Sequence, residues 1–415
     1  MALYRRGSCG QTAPWRPRRA ADAEGVARSV GNSSPYRHIR KLADPLRLYR
    51  HLLLLVITLW HLLPPAALAA PPQPDPDMKR LLDTWTSLSG RPIEGLNPAQ
   101  ARSQPSLQTA VSVTARKLGK SSKPQSVARV ETIKVDGAEG ELPARLYTPA
   151  GEGPFPVLVY FHSGGWVLGG LEDADASARA LANAAGCLVV SVAYRQAPEH
   201  PYPAAVLDAH AAFNDIVDRA SQLGGDRRRV AVGGEGSGAN LAVVVCLMAM
   251  EKRTPMPIHQ LLICPITDTN FDTLSYRRNA QARPYSRASM QWFFRHYLSK
   301  PGQASSPYVS VLKKSAVDMP AATVIVAELD PVASEGQAYH QHLLDSAVDS
   351  QLGLYQGVTA DFFGTGAVVG KAREAVKFAG RRLQKAFVIN RPYARPQQSG
   401  SRRPATQRPA PAVAP

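Results

Sequence analysis

Val230-Ala-Val-Gly-Gly-Glu-Gly-Ser-Gly-Ala-Asn-Leu-Ala242 runs from an apolar stretch through a glycine-rich corner into a helix start. A short apolar run that ends in glycines fits a strand buried on both faces. Helical spacing resumes at about 239–251, so strand, tight turn and helix follow one another directly. The same alternation extends outward from this point. Val157–Phe161, Leu188–Ala193, Leu261–Cys264 and Thr323–Ala327 are further apolar runs, and Gln351–Tyr355 is a weaker one. Val127–Val135 and Glu141–Tyr147 precede them as two more strand-like segments. Helical patterns lie between and after the strands, at about 173–185, 204–222, 287–299, 334–346 and 367–386. Strands alternating with helices predict an α/β fold built on one doubly wound, mostly parallel, eight-stranded sheet flanked by helices. Residues 268–300, with Trp292, Phe293, Phe294 and Tyr297, are long for a crossover and are expected to cover the mouth of a pocket.

The charge sits mainly at the ends. The chain has 415 residues and a formal net charge of +17. Residues 1–50 hold eleven Lys/Arg against three acids, and residues 388–415 hold five Arg and no acid, so the two ends carry 13 of the 17 charges. These Arg/Pro-rich ends have too little apolar content to fold. They suit contact with anionic surfaces, and no nucleic-acid role is expected. Leu52-Leu-Leu-Leu-Val-Ile-Thr-Leu-Trp60 follows Arg47 and Arg50 and precedes Ala67-Leu-Ala69. Charged flank, apolar run and A-x-A site predict a secretory signal over 46–70 and a secreted or periplasmic protein. The alternative is a membrane anchor over 52–70, against which His61, Pro64 and Pro65 interrupt the run. A basic extension at 1–45 is long for a signal peptide, which leaves a mis-assigned start open. Residues 71–125 read as a linker and cap, with Met78–Leu88 helical and 100–125 a polar arm, mobile at least in part. The main domain is expected over 126–387 and the tail over 388–415. Cys187, Cys246 and Cys264 fall in apolar segments and read as buried free thiols.

Five stretches carry the chemistry. Val157-Leu-Val-Tyr-Phe-His-Ser-Gly-Gly-Trp-Val167 runs from a strand into a His-Ser-Gly-Gly turn. Tyr194-Arg-Gln-Ala-Pro-Glu-His-Pro-Tyr-Pro-Ala204 follows, with Asp208 beyond it. The corner at 230–242 is third. Ala327-Glu-Leu-Asp-Pro331 and Tyr355-Gln-Gly-Val-Thr-Ala-Asp-Phe-Phe-Gly364 complete the set. In order and spacing they resemble the hormone-sensitive-lipase family of α/β-hydrolases, which are carboxylesterases and lipases. The resemblance spans about 80–387 and implies the α/β-hydrolase fold with a small helical cap, to which Met78–Leu88 would belong.

The family's chemistry needs a serine nucleophile on a strained G-x-S-x-G elbow, then an Asp, then a His, in that chain order. Its oxyanion donors come from an H-G-G-G turn and from the residue after the serine. On this resemblance Asp330 holds the acid position, Gly164 and Gly165 are donor glycines, and the Ser237 N–H is the third donor. His162 leads the turn and is structural, while Ser163 replaces the first glycine. Gly236 occupies the nucleophile position and Ala360 the base position. Glu199 and Asp208 belong to the pattern that braces the site loops. Ser237 is the one serine of the corner, displaced by a residue. Without a base its hydroxyl stays protonated and weakly nucleophilic. His162, His340 and His342 lie outside the loop that should bring the base over the corner. Asp361 adjoins Ala360, but adjacent side chains in a loop usually diverge.

Two of the three triad positions are therefore lost. In a serine protease used as the standard example, removing Ser or His alone costs roughly 10⁶-fold in kcat, and removing both costs no more. The sequence is thus expected to describe a protein of carboxylic-ester hydrolase descent, impaired in catalysis, with a pocket for a small acyl or ester-like ligand. The alternative is an active esterase using Ser237 with an unconventional base. No metal and no cofactor are expected.

Overall fold

Strand order explains where a site can form. The computed structural model describes residues 72–88 and 90–389. The basic extension, the signal segment over 46–70 and the tail beyond 389 lie outside the described residues. Eight strands form one sheet in the order β1-β2-β4-β3-β5-β6-β7-β8. β1 (Arg129–Gly137) and β2 (Gly140–Thr148) are an antiparallel hairpin closed at Gly137↔Gly140, and β2 pairs antiparallel with β4 (Leu188–Val192). β3 (Phe155–Phe161), β5 (Gly225–Glu235), β6 (Gln260–Ile263), β7 (Ala322–Ala327) and β8 (Ser350–Tyr355) continue the sheet in parallel. The chain steps from β3 to β4 on one side, then returns past β3 to β5. That reversal opens a crevice beyond the carboxyl ends of β3 and β5, where open α/β sheets bind ligands.

Alternation along each strand feeds two cores. Val157, Val159, Val230 and Val232 enter one apolar cluster, and Leu158, Tyr160 and Ala231 enter the other. The first cluster is covered by α5 (Ala204–Asp218), α6 (Ser237–Lys252) and α8 (Arg287–Tyr297). The second is covered by α1 (Pro76–Ser87), α3 (Leu107–Lys117), α4 (Leu171–Ala185) and α10 (Gly370–Ile389). With apolar residues on both faces, the central strands read as unbroken hydrophobic runs, which is why they were legible. β5 begins earlier than expected, because Gly225 already pairs with Phe155 and Asp226-Arg-Arg-Arg229 bridges the register shift to Val157↔Val230. α9 (Ala333–Asp345) completes the layer beside β7 and β8.

The polar arm expected over 100–125 needs correction. Within it, α3 buries Leu107, Ala110, Val111, Thr114 and Ala115 on one face, and Ser106 caps its first turn. α2 (Pro98–Arg102) precedes it with a full capping box between Asn97 and Gln100. The apolar stripe is short and separated by polar residues, so its 3.6-residue period was hard to see. α1 carries Asp75 as its cap, accepting from the Met78 N–H at 2.8 Å. α7 (Leu274–Arg278) and α8 form the 268–300 insertion. Trp292 Nε1 donates to the Leu96 carbonyl at 2.9 Å, and Ser289 Oγ donates to Glu94 at 3.0 Å, so the insertion is tied to the cap. Among the described residues no helix is long and apolar enough to cross a membrane.

Candidate active site

The corner after β5 has the geometry of an elbow. Gly236 takes φ 54° and ψ −113° between strand and helix. A Cβ on Gly234 would stand 2.4 Å from Gly238, and one on Gly238 would stand 2.0 Å from the Phe161 carbonyl oxygen. β3, β5 and α6 cross so closely there that only glycine fits at both positions. Residue 236 is different. A Cβ on it would meet only Ser163 Cβ, at an ordinary 3.5 Å. Space for a side chain exists there, although the positive φ is strained for any L-residue.

The turn after β3 builds a donor pocket. Gly164 (φ 111°) and Gly165 (φ 58°) adopt conformations that favour glycine. A Cβ on Gly164 would lie 2.1 Å from the Leu168 carbonyl oxygen, and one on Gly165 would lie 2.2 Å from the Phe293 ring. Among the described residues, the N–H groups of Gly164, Gly165 and Ser237 have no protein acceptor. Three unengaged donors beside an elbow are what an oxyanion requires. His162 Nδ1 lies 2.7 Å from the Ser163 carbonyl, and its ring stacks on Tyr194 at 4.3 Å between centroids. Burial holds the imidazole at about 4, so it is neutral and braces the turn.

The Ser237 hydroxyl turns away from the cavity. The side chain is fully buried, with Oγ 3.4 Å from the Tyr194 hydroxyl, and it is not part of the cavity wall. The first helical residue after the corner points into the protein, where the Tyr194 hydroxyl also donates to the His162 carbonyl at 2.9 Å. Asp330 is buried, accepts from the Val332 N–H at 3.0 Å, and leaves Oδ2 without a partner. Burial raises its carboxyl to about 7. His340 and His342 are engaged elsewhere, with Ser350 Oγ at 2.8 Å and the Lys314 carbonyl at 2.7 Å.

The two motif acids sit behind the site. Asp208 is fully buried and accepts from the Arg195 guanidinium at 2.8 Å and from the backbone N–H of Arg195 and Ala138. Glu199 forms a two-pronged ion pair with Arg102, both contacts at 2.7 Å. Arg102 also donates to the Val167 carbonyl at 2.9 Å and the Ala197 carbonyl at 2.8 Å. This arginine ties α2 to the donor turn, and it lies in the stretch read as an arm. No pattern in the sequence marked it.

A cavity of about 130 Å³ lies over the turn. Its apolar wall includes Trp85, Ile93, Leu107 and Leu168, and its polar wall includes Ser163, Asp173, Glu235, Tyr285 and Asp361. An engineered apolar cavity of roughly 150 Å³ holds benzene, so this partly open space suits a small ligand. Asp173, Glu235 and Asp361 line this space together with Arg102. Burial and then the Asp361 charge push Glu235 up to about 7, while the Tyr160 hydroxyl donates to it at 2.5 Å. Burial raises Asp361 to about 6, with the Ser163 and Tyr285 hydroxyls pulling the other way and the Asp173 charge adding to the rise. Burial also raises Asp173. Near neutral pH the Glu235 carboxyl can both accept and donate hydrogen bonds. Tyr285, Asp173 and Glu235 were not singled out in the sequence, because only the folded cap brings them to one cavity. Among the described residues no group of three or more His, Cys, Asp or Glu is arranged to hold a metal ion.

Comparisons with known proteins agree with this geometry. Residues 158–364 match the family described as the alpha/beta hydrolase fold. The chain is 33% identical over 271 residues to an ethyl acetate hydrolase of Pseudomonas putida, covering 64% of this chain and 85% of that protein. It is 39% identical over 227 residues to the carboxylic ester hydrolase LipN of Mycobacterium tuberculosis, covering 53% of this chain and 60% of that relative's length. The solved hyperthermophilic esterase of Pyrobaculum calidifontis superposes with a TM-score of 0.69 at 33% identity, over 76% of this chain and 98% of its own.

Proposed function

Because this chain belongs to the α/β-hydrolase family of those esterases, we propose that its cavity binds a small acyl or ester-like ligand and that hydrolysis by the family's Ser-Asp-His route is impaired. The observation that carries this reading is the elbow at Gly236. It keeps the strained conformation and stands beside three unengaged N–H donors, yet bears no side chain. Ala360 supplies no imidazole, and the unpartnered Oδ2 of Asp330 accords with that loss. A ligand carbonyl would take the Gly164, Gly165 and Ser237 donors, and its short acyl chain would lie against Leu168 and Ile93. The cavity volume and the ethyl acetate hydrolase among the relatives both favour short chains.

Thermal-shift titration with short esters and their carboxylic acids tests the reading. Saturating ligand at 100 times Kd adds about 2.7 kcal/mol to stability. A melting temperature unmoved by every short ester and acid would refute it. Export belongs to the same proposal, since residues 46–70 have the pattern of a cleaved signal. Mass spectrometry of the mature N-terminus should find it near Ala69 or Ala70, and an intact segment would favour an anchor.

A further inference from the structure

Two side chains outside the triad positions converge on the emptied site. Ser163 Cβ is 3.5 Å from the point where a Cβ on Gly236 would lie, so a hydroxyl at 163 borders the space a nucleophile at 236 would fill. Ser163 also lines the cavity. Asp361 has φ 58°, a left-handed backbone that few non-glycine residues adopt. Asp361 lines the same cavity as Ser163 and Tyr285, whose hydroxyls oppose the rise that burial imposes on its carboxyl. Strained residues of this kind cluster where the surrounding structure holds a group for use. The expectation that Asp361 would diverge from the site is therefore overturned by the turn at its own backbone.

We propose that Ser163 and Asp361 form a displaced nucleophile–base pair through which the cavity slowly hydrolyses small acyl esters, independently of the residues at 236 and 360. This rests on the reading that the cavity binds such esters. In the first half-reaction the Asp361 carboxylate takes the Ser163 hydroxyl proton as Oγ bonds to the ester carbonyl carbon. The carbonyl oxygen becomes an oxyanion facing the unengaged N–H groups of Gly164, Gly165 and Ser237. Collapse breaks the bond to the alkoxy oxygen, which leaves as the alcohol with the proton from Asp361. In the second half-reaction water attacks the acyl-Ser163 ester, Asp361 takes the water proton and returns it to Ser163 Oγ, and the carboxylic acid leaves. Burial holds Asp361 at about 6, which keeps it mostly ionised at neutral pH but makes it a modest base. Slow turnover follows.

The test uses the full chain with p-nitrophenyl acetate, a fluorophosphonate probe, and the variants Ser163→Gly and Asp361→Asn. Ser163→Gly places the family's own residue in the turn, so it should fold, and melting curves check both variants. The expected results are phosphonylation on the peptide containing Ser163 and at least about a hundredfold loss of turnover in Ser163→Gly. Asp361→Asn should lose at least about tenfold and flatten a pH profile that otherwise rises through about 6. Absence of turnover in the native chain, unchanged turnover in Ser163→Gly, or phosphonylation of a different residue overturns the pair. Thermal stabilisation by ethyl acetate, read in parallel, separates the two claims. Stabilisation without Ser163-dependent turnover removes the pair and leaves the binding site, whereas no stabilisation by any short ester removes the binding site itself.

Discussion

Ser163 stands directly against Gly236: a Cβ added to the glycine would touch Ser163 Cβ at 3.5 Å and meet no other neighbour within 4 Å. The elbow therefore has room for a side chain at 236. We expect Gly236→Ser to fold, at a cost of about 1–3 kcal/mol from the positive φ. Combined with Ala360→His, it should raise p-nitrophenyl butyrate turnover at least ~100-fold above either single change, because nucleophile and base act as a unit. Additive, independent gains from the two single changes would show that the elbow and the 360 loop no longer face one another.

Asp330 gives a pH signature. Its carboxyl is raised to about 7 by burial, against an ordinary value of 3.8. Between those values the folded chain binds more protons than the unfolded one, so this group's stabilisation is full below about pH 4 and disappears as pH rises through 7. Asp330→Asn keeps an acceptor for the Val332 N–H and removes the charge. We expect it to stabilise the chain on the order of 2–4 kcal/mol at pH 8 and hardly at all at pH 4. Urea unfolding at the two pH values reads the difference. Destabilisation at pH 8 would mean that a basic group in solution or in the chain pairs with Oδ2.

Phe293 seals the donor turn through its contact with Gly165. Gly165→Ala places a methyl 2.2 Å from the ring in a left-handed backbone, so we expect a loss of about 2–4 kcal/mol. Phe293→Leu should relieve the clash but not the backbone strain. A double-mutant cycle by thermal unfolding should thus recover only part of the loss, and full recovery would exclude a contribution from φ.

Arg102 joins the cap to the turn by two kinds of contact that differ in weight. Its partner Glu199 is about half exposed, with side-chain exposures of 31% and 55% for the pair, so the ion pair itself contributes at most about 1 kcal/mol. The donations to the Val167 and Ala197 carbonyls are less exposed to solvent screening. Glu199→Gln should therefore cost less than about 1 kcal/mol, while Arg102→Ala should cost about 2 kcal/mol or more and weaken ester binding as well. Equal losses would assign the effect to the ion pair alone.

The sequence by itself determined the scaffold. Eight strands were legible because residues such as Val157–Phe161 and Val230–Val232 are buried on both faces, where only an unbroken apolar run is stable. Gly236 and Ala360 stand out in the sequence because, on the family resemblance, motif order assigns them the nucleophile and base positions. The tertiary structure alone decided the directions. Ser237 turns its hydroxyl inward because it is the first residue of α6, and its side chain lies under Tyr194. Asp361 turns into the cavity through a positive φ that no residue type announces. α3 and Arg102 join the site because a short amphipathic stripe becomes stable only when a cap surface covers it. Periodicity records which residues are buried, whereas the cavity depends on where backbone turns aim single side chains, and contacts distant in the chain set those turns.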